Sequence, residues 1–242
     1  MSVPPKTAIV TGASQGIGAG IVKRFVERGF NVVANSRKVT QSSEVVASNH
    51  VALVEGHIGE PATAAKIVET ALSRFQSIDA LVNNAGIFFT KPFTDYTAED
   101  FKSLVSTNVE GFLYVTQLSI KQMLAQKTGG SIVTITAALA RNPIRGVTAA
   151  VPMITKGGLE TITQHLAMEY AKDRIRVNAV APGVVETPLH RETPKEVMEG
   201  LSPMGRPSTV KEIADAVLYL TDAATVTGHI LYVDGGSHFG RW

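Results

Sequence analysis

The chain has 242 residues, 44% of them hydrophobic and 18% charged, which is enough apolar material for a sizeable core. Twenty-three basic residues against 21 acidic ones leave a formal charge of +2, too balanced to suggest a nucleic-acid or membrane surface as partner. The absence of cysteine excludes disulfides, thiolate metal sites and a cysteine nucleophile, and fits a reducing compartment.

Only Met-Ser-Val-Pro-Pro-Lys precedes the first apolar run, too little for a secretory leader, and no run approaches the roughly 18 apolar residues of a membrane helix. A cytoplasmic location is the expectation. That first run, 7–11 (TAIVT), reads as a strand. It leads into a glycine-rich turn and a helix over 18–29, whose Ile21 and Phe25 share one face and whose stop is Gly29. A strand at 31–35 and another at 51–54 follow, then a helix over 61–75 with Pro61 in its first turn. Strands at 80–83 and 131–136 flank a long helical pattern over 98–127. Beyond it come a helix over 153–172, a strand at 176–180, a helix over 209–221 and a last strand at 229–233.

Most of these strands are rich in Val and Ile without polar alternation, the mark of parallel strands covered on both faces. The β-α-β alternation therefore implies an α/β, doubly wound sheet with helices on both faces, formed by one domain over 1–242. The one long irregular stretch, 182–207, reads as a lid. The six histidines are scattered without ligand spacing, so no metal site is expected.

In "TGASQGIGAG", Gly12, Gly16 and Gly18 stand directly after the first strand and open the first helix. Glycines there permit a tight turn and let backbone N–H groups approach a pyrophosphate at the positive helix end. The spacing is Gly-x-x-x-Gly-x-Gly, unlike the usual dinucleotide fingerprint, and alone it is more often an ordinary turn.

Further stretches resolve that ambiguity. Thr11 to Gly18, Asn83-Asn84-Ala85-Gly86, Asn108 in "STNVEGF", Lys156-Gly157-Gly158, "RVNAVAPGVVETP" and "VDGG" occur in this order. Together they resemble the short-chain dehydrogenase/reductase family over essentially the whole chain. The resemblance implies a Rossmann-type, seven-stranded parallel sheet and a nicotinamide dinucleotide. Gly12, Ser14, Gln15, Gly16, Ile17 and Gly18 would hold its phosphates, and Asn84, Ala85 and Gly86 would line the adenosine side. His57 and Ile58 would meet the adenine, with His57 standing where relatives carry Asp. Pro182, Gly183, Val185 and Thr187 would hold the nicotinamide, with Lys156 on its ribose.

Discrimination between NAD and NADP falls at the end of the second strand, where a carboxylate suits ribose hydroxyls and a cation suits a 2′-phosphate. Here Ser36 stands at the Asp position and Arg37 follows, with Lys38 beyond. Arg can form a bidentate pair with phosphate, so NADP(H) is favoured over NAD(H), although two basic residues in a solvated loop are the plainer reading.

The resemblance also implies a tyrosine four residues before Lys156, a serine on the fifth strand and Asn108 positioning a water. Pro152 stands at the tyrosine position and Ala137 at the serine position. No serine occurs between Ser131 and Ser202, and the segment 137–152 is about two residues longer than in relatives. Candidates for the missing proton transfer are Thr136, Thr148, His190 and Lys156 acting with Asn108 as the catalytic pair. A lone lid histidine is more often exposed, and Lys156 more often keeps only the ribose contact.

The expectation is an NADP(H)-dependent oxidoreductase of a small carbonyl or alcohol with an altered proton relay. A catalytically impaired dinucleotide-binding protein and a structural subunit are the rivals. Relatives pair through the helices expected here over 100–127 and 153–172, so a tetramer or dimer is expected.

Overall fold

The computed structural model describes residues 4–239; residues 1–3 and 240–242, the two ends of the stretch read as one domain, lie outside the described residues. Seven strands form one sheet in the order β3-β2-β1-β4-β5-β6-β7. They are β1 (Thr7–Thr11), β2 (Asn31–Ser36), β3 (Val51–Glu55), β4 (Ala80–Asn83), β5 (Gly130–Ile135), β6 (Ile175–Pro182) and β7 (Ile230–Val233), and every pairing is parallel.

Consecutive strand residues point to opposite faces, and both faces are apolar. Ala8 and Val10 join one core with α1 (Gly16–Glu27) and α7 (Val210–Asp222), through Ile21, Phe25, Ile213 and Val217. Ile9 joins the other core, against α2 (Pro61–Phe75) and the helices α4 (Gly111–Gln126) and α5 (Ala150–Glu169). Burial on both sides explains why the strands read as continuous apolar runs. The order reverses between β1 and β4, and the crevice outside the carboxyl ends of those strands is where such sheets bind ligands.

Four departures from the sequence reading matter. First, α1 begins at Gly16, not 18, so two of the three glycines lie inside its first turn. Second, the helical stretch 98–127 is not uniform: α3 (Ala98–Leu104) passes into a π-helical turn, Val105–Glu110, before α4. A π turn inserts one residue into the helical ladder, and composition does not announce it. Third, α5 starts at Ala150, three residues before the expected start, and ends at Glu169. Pro152 thus sits in the first turn, where its missing N–H would have no helical partner anyway. Fourth, 182–207 is not structureless. It holds a 3₁₀ turn, Pro188–His190, and the short helix α6 (Lys195–Gly200). Arg206 pairs with Glu212 at 2.6 Å and so fastens its end to α7.

Candidate coenzyme and active site

The carboxyl ends of β1 and β4 are laced together. Asn84 Nδ2 donates to the carbonyl oxygens of Thr11 (2.9 Å) and Gly12 (3.0 Å), while Thr11 Oγ1 accepts from the N–H groups of Asn84 and Ala85. The turn between them has no room for side chains. A Cβ on Gly12, whose φ is +64°, would lie 2.7 Å from Ala85 Cα, and one on Gly18 would lie 2.2 Å from the Gly12 carbonyl oxygen. Gln15 precedes α1 with no side-chain cap, and the first turn carries no acidic residue. The uncapped N–H groups of a 12-residue helix therefore face the crevice, an arrangement suited to a pyrophosphate.

Two cavities open here and share Gly12, Gln15, Arg37, Ala85, Gly86 and Ile87. One, of about 470 Å³, runs past Ser14, Ser36, Arg37 and Lys38 to His57, Ile58 and Thr107. Ser36 Oγ is buried there without a hydrogen-bond partner. The other, of about 690 Å³, passes Gly16, Ile17, Gly18 and Asn84 to Lys156, and then to Pro182, Gly183, Val185 and Thr187. The coenzyme residues marked from the sequence are thus brought together on the cavity walls, whereas Asn108 lies outside them.

Asn108 lies in the π turn, and both ends of its amide are engaged. Its Oδ1 accepts from Ile87 N–H (2.8 Å), and its Nδ2 donates to the Ile87 carbonyl (3.1 Å) and to Thr155 Oγ1 (2.9 Å). Thr155 in turn donates to the Pro152 carbonyl at 2.8 Å. Asn108 therefore clamps the strand that leaves Gly86 onto α5. Lys156, one turn after Pro152, is buried; its Nζ donates to the Ile135 carbonyl at 2.8 Å, and a Cβ on Gly86 would lie 3.2 Å from that nitrogen. Loss of solvent lowers its ammonium to about 8.

The other proton-transfer candidates separate. Ala137 and Thr136 both line the larger cavity, but Thr136 Oγ1 is directed to Glu160 Oε1 (3.2 Å) and the Val180 carbonyl (3.3 Å). Thr148 is not on the cavity wall, whereas Val147 is. His190 is half-buried on that wall rather than exposed, and burial lowers its imidazole below the ordinary value. Among the described residues, neither cavity is lined by a tyrosine or a carboxylate. Reading the sequence alone missed part of the outer wall, Phe88, Leu139, Asn142 and Ile144, while Leu201 on the same wall belongs to the expected lid. The former are ordinary loop residues with no motif to mark them. Arg141 Nε binds Glu160 Oε2 at 3.0 Å and ties the loop after β5 to α5.

The comparisons agree with this architecture. The family model described as enoyl-(acyl carrier protein) reductase matches residues 12–238. Glucose 1-dehydrogenase of Gluconobacter oxydans is 34% identical, over 96% of this chain and 91% of its own length. The chain belongs to the short-chain dehydrogenase/reductase family. The 3β-hydroxysteroid dehydrogenase 1 of Eggerthella lenta is 32% identical to this short-chain dehydrogenase/reductase over 96% of the chain and 93% of its own. Among solved structures, the 3-ketoacyl-(acyl-carrier-protein) reductase of Brucella melitensis complexed with NADH has a TM-score of 0.90 at 33% identity, covering 98% and 100% of the two chains. ElxO with NADP bound has a TM-score of 0.87 at 25% identity, covering 96% and 98%. The relatives are named as dehydrogenases and reductases, and these two neighbours hold one or the other nicotinamide dinucleotide.

The tightness of the turn sets a direct test. Gly18→Ala forces a Cβ against backbone that cannot yield, so NADPH binding followed by fluorescence should weaken by about tenfold or more. Far-UV circular dichroism should stay that of the folded protein.

Proposed function

We propose that this short-chain dehydrogenase/reductase is an NADP(H)-dependent oxidoreductase of a small carbonyl or alcohol, working with a proton relay that lacks the family's tyrosine. The observation that carries the reading is the buried Lys156 in the wall of the larger cavity, holding an ammonium of about 8 with no tyrosine beside it. The residues fit the coenzyme: the glycine turn and uncapped α1 suit the pyrophosphate, the unpartnered Ser36 hydroxyl the ribose, and Arg37 with Lys38 a 2′-phosphate. Pro182, Gly183, Val185 and Thr187 offer the wall for the nicotinamide. When bound, NADPH supplies the hydride.

The chain's own residues must then supply the proton to the substrate oxygen. Lys156 can hold or release one near neutrality, because burial has brought it from the ordinary lysine range to about 8. Asn108 and Thr155 hold the two segments on either side of it. Half-buried His190 is the other group on that wall with an ordinary range near neutrality, but burial lowers it, so at neutral pH its imidazole is suited to accept a proton rather than to supply one. Loss of an acid or base is worth about 10²–10⁴ in rate, so turnover is expected to be slow by the standard of an intact site.

A second reading, a dinucleotide-binding protein with impaired catalysis, is favoured by Pro152 and Ala137, neither of which carries a titratable group. Oligomerisation through α3–α5 is part of the proposal too. Phe101, Leu113, Leu124, Ile154 and Met168 leave apolar surface exposed on those helices, which supports a dimer or tetramer.

Three outcomes test the reading. NADPH should bind, and a broad carbonyl panel should then oxidise it, with the reductive rate falling as pH rises through about 8, where Lys156 loses its proton. In Lys156→Arg that limb should vanish; binding with no turnover on any carbonyl would leave the second reading. Arg37→Ala should raise the Kd for NADPH by about tenfold and leave that for NADH within about twofold. Pro152→Tyr combined with Ala137→Ser should raise the reductase rate, and an unchanged rate would place the relay elsewhere.

A further inference from the structure

The smaller cavity continues beyond the groups that suit the phosphates and ribose. Past Ser36 and Arg37 its wall is Gly56, His57 and Ile58, at the end of β3, and Thr107 from the π turn. With the pyrophosphate at α1 and the ribose at the end of β2, this recess is the space left for the base.

His57 is the titratable group in that recess, and its ring orientation follows from its neighbours. The Gly59 N–H, which can only donate, points at His57 Nδ1 at 3.2 Å. Nδ1 therefore accepts, and in the neutral ring the hydrogen sits on Nε2. That nitrogen makes a long hydrogen bond, 3.4 Å, to Thr107 Oγ1 on the wall of the same recess, one that a better-placed acceptor on a bound base would displace. The recess is thus offered a donor. An exocyclic amino group on a purine is also a donor, so the two do not pair; a ring nitrogen or a 6-oxo oxygen is an acceptor and does.

We propose that His57 reads the base through an acceptor on it, so that this site does not require the 6-amino group and takes a 6-oxo purine coenzyme as readily as the adenine one. A site built to bond a substrate N–H rejects an analogue lacking it by orders of magnitude, because a buried partner is then left unpaired. His57 imposes no such penalty. The inference rests on the coenzyme reading above.

The test compares NADPH with reduced nicotinamide hypoxanthine dinucleotide phosphate, both titrated by fluorescence, with no turnover needed. In the wild-type protein the two Kd values should agree within about fivefold. In His57→Asp, where a carboxylate can only accept, the adenine form should gain about tenfold over the hypoxanthine form. A wild-type preference for adenine above fivefold overturns the proposal while leaving the coenzyme reading intact. Failure of NADPH itself to bind overturns both. Since the wild-type comparison alone decides, a variant that does not fold leaves the test in force.

Discussion

Everything at this site depends on how closely two pieces of backbone approach where β1 and β4 part company. Gly18 sits against the Gly12 carbonyl and Gly12 against Ala85, with no space for a methyl group at either contact. That approach brings the N-terminus of α1, the end of β2 and the strand leaving β4 to the rim of one crevice. The Asn84 side chain, bonded to the Thr11 and Gly12 carbonyls, fixes the gap so that it neither closes nor widens. A phosphate needs such a preformed nest, since N–H groups that had to be gathered first would cost conformational entropy on binding.

Much of this was legible in the sequence, for physical reasons. Strands buried on both faces, such as β1 and β2, must be apolar at every position, and the periodicity shows it. Gly12 and Gly18 were legible because close backbone approach permits one residue type, and Gly16 because its φ of +57° favours glycine. Less visible were features that depend on helix phase. The π turn that places Asn108 is encoded by no distinctive composition, and α5 starts at Ala150 with no side-chain cap to mark it. The outer cavity wall comes from loop residues such as Asn142 and Ile144 that meet only in three dimensions. The direction of the His57 ring depends on one backbone N–H two residues on.

The chemistry follows from a contrast in burial. Arg37 and Lys38 are exposed at the rim of the smaller cavity. Lys156 is enclosed, so its charge is conditional on pH. In the proposed reading the exposed basic pair would anchor a phosphate and the enclosed lysine would carry the proton, with solvent access making the difference.

The Arg141–Glu160 pair carries a consequence for how the active-site rim can change. Glu160 is 1% exposed, whereas Arg141 is half in solvent on the loop after β5. The loop is bolted at one point to an interior carboxylate that has no other cationic partner among the described residues. Its length and its tip are free to drift. The bolt is not: any remodelling that discards the arginine strands a negative charge under the floor of the cavity. New substrate preferences on this scaffold are therefore most accessible by changing what lies between the bolt and the start of α5.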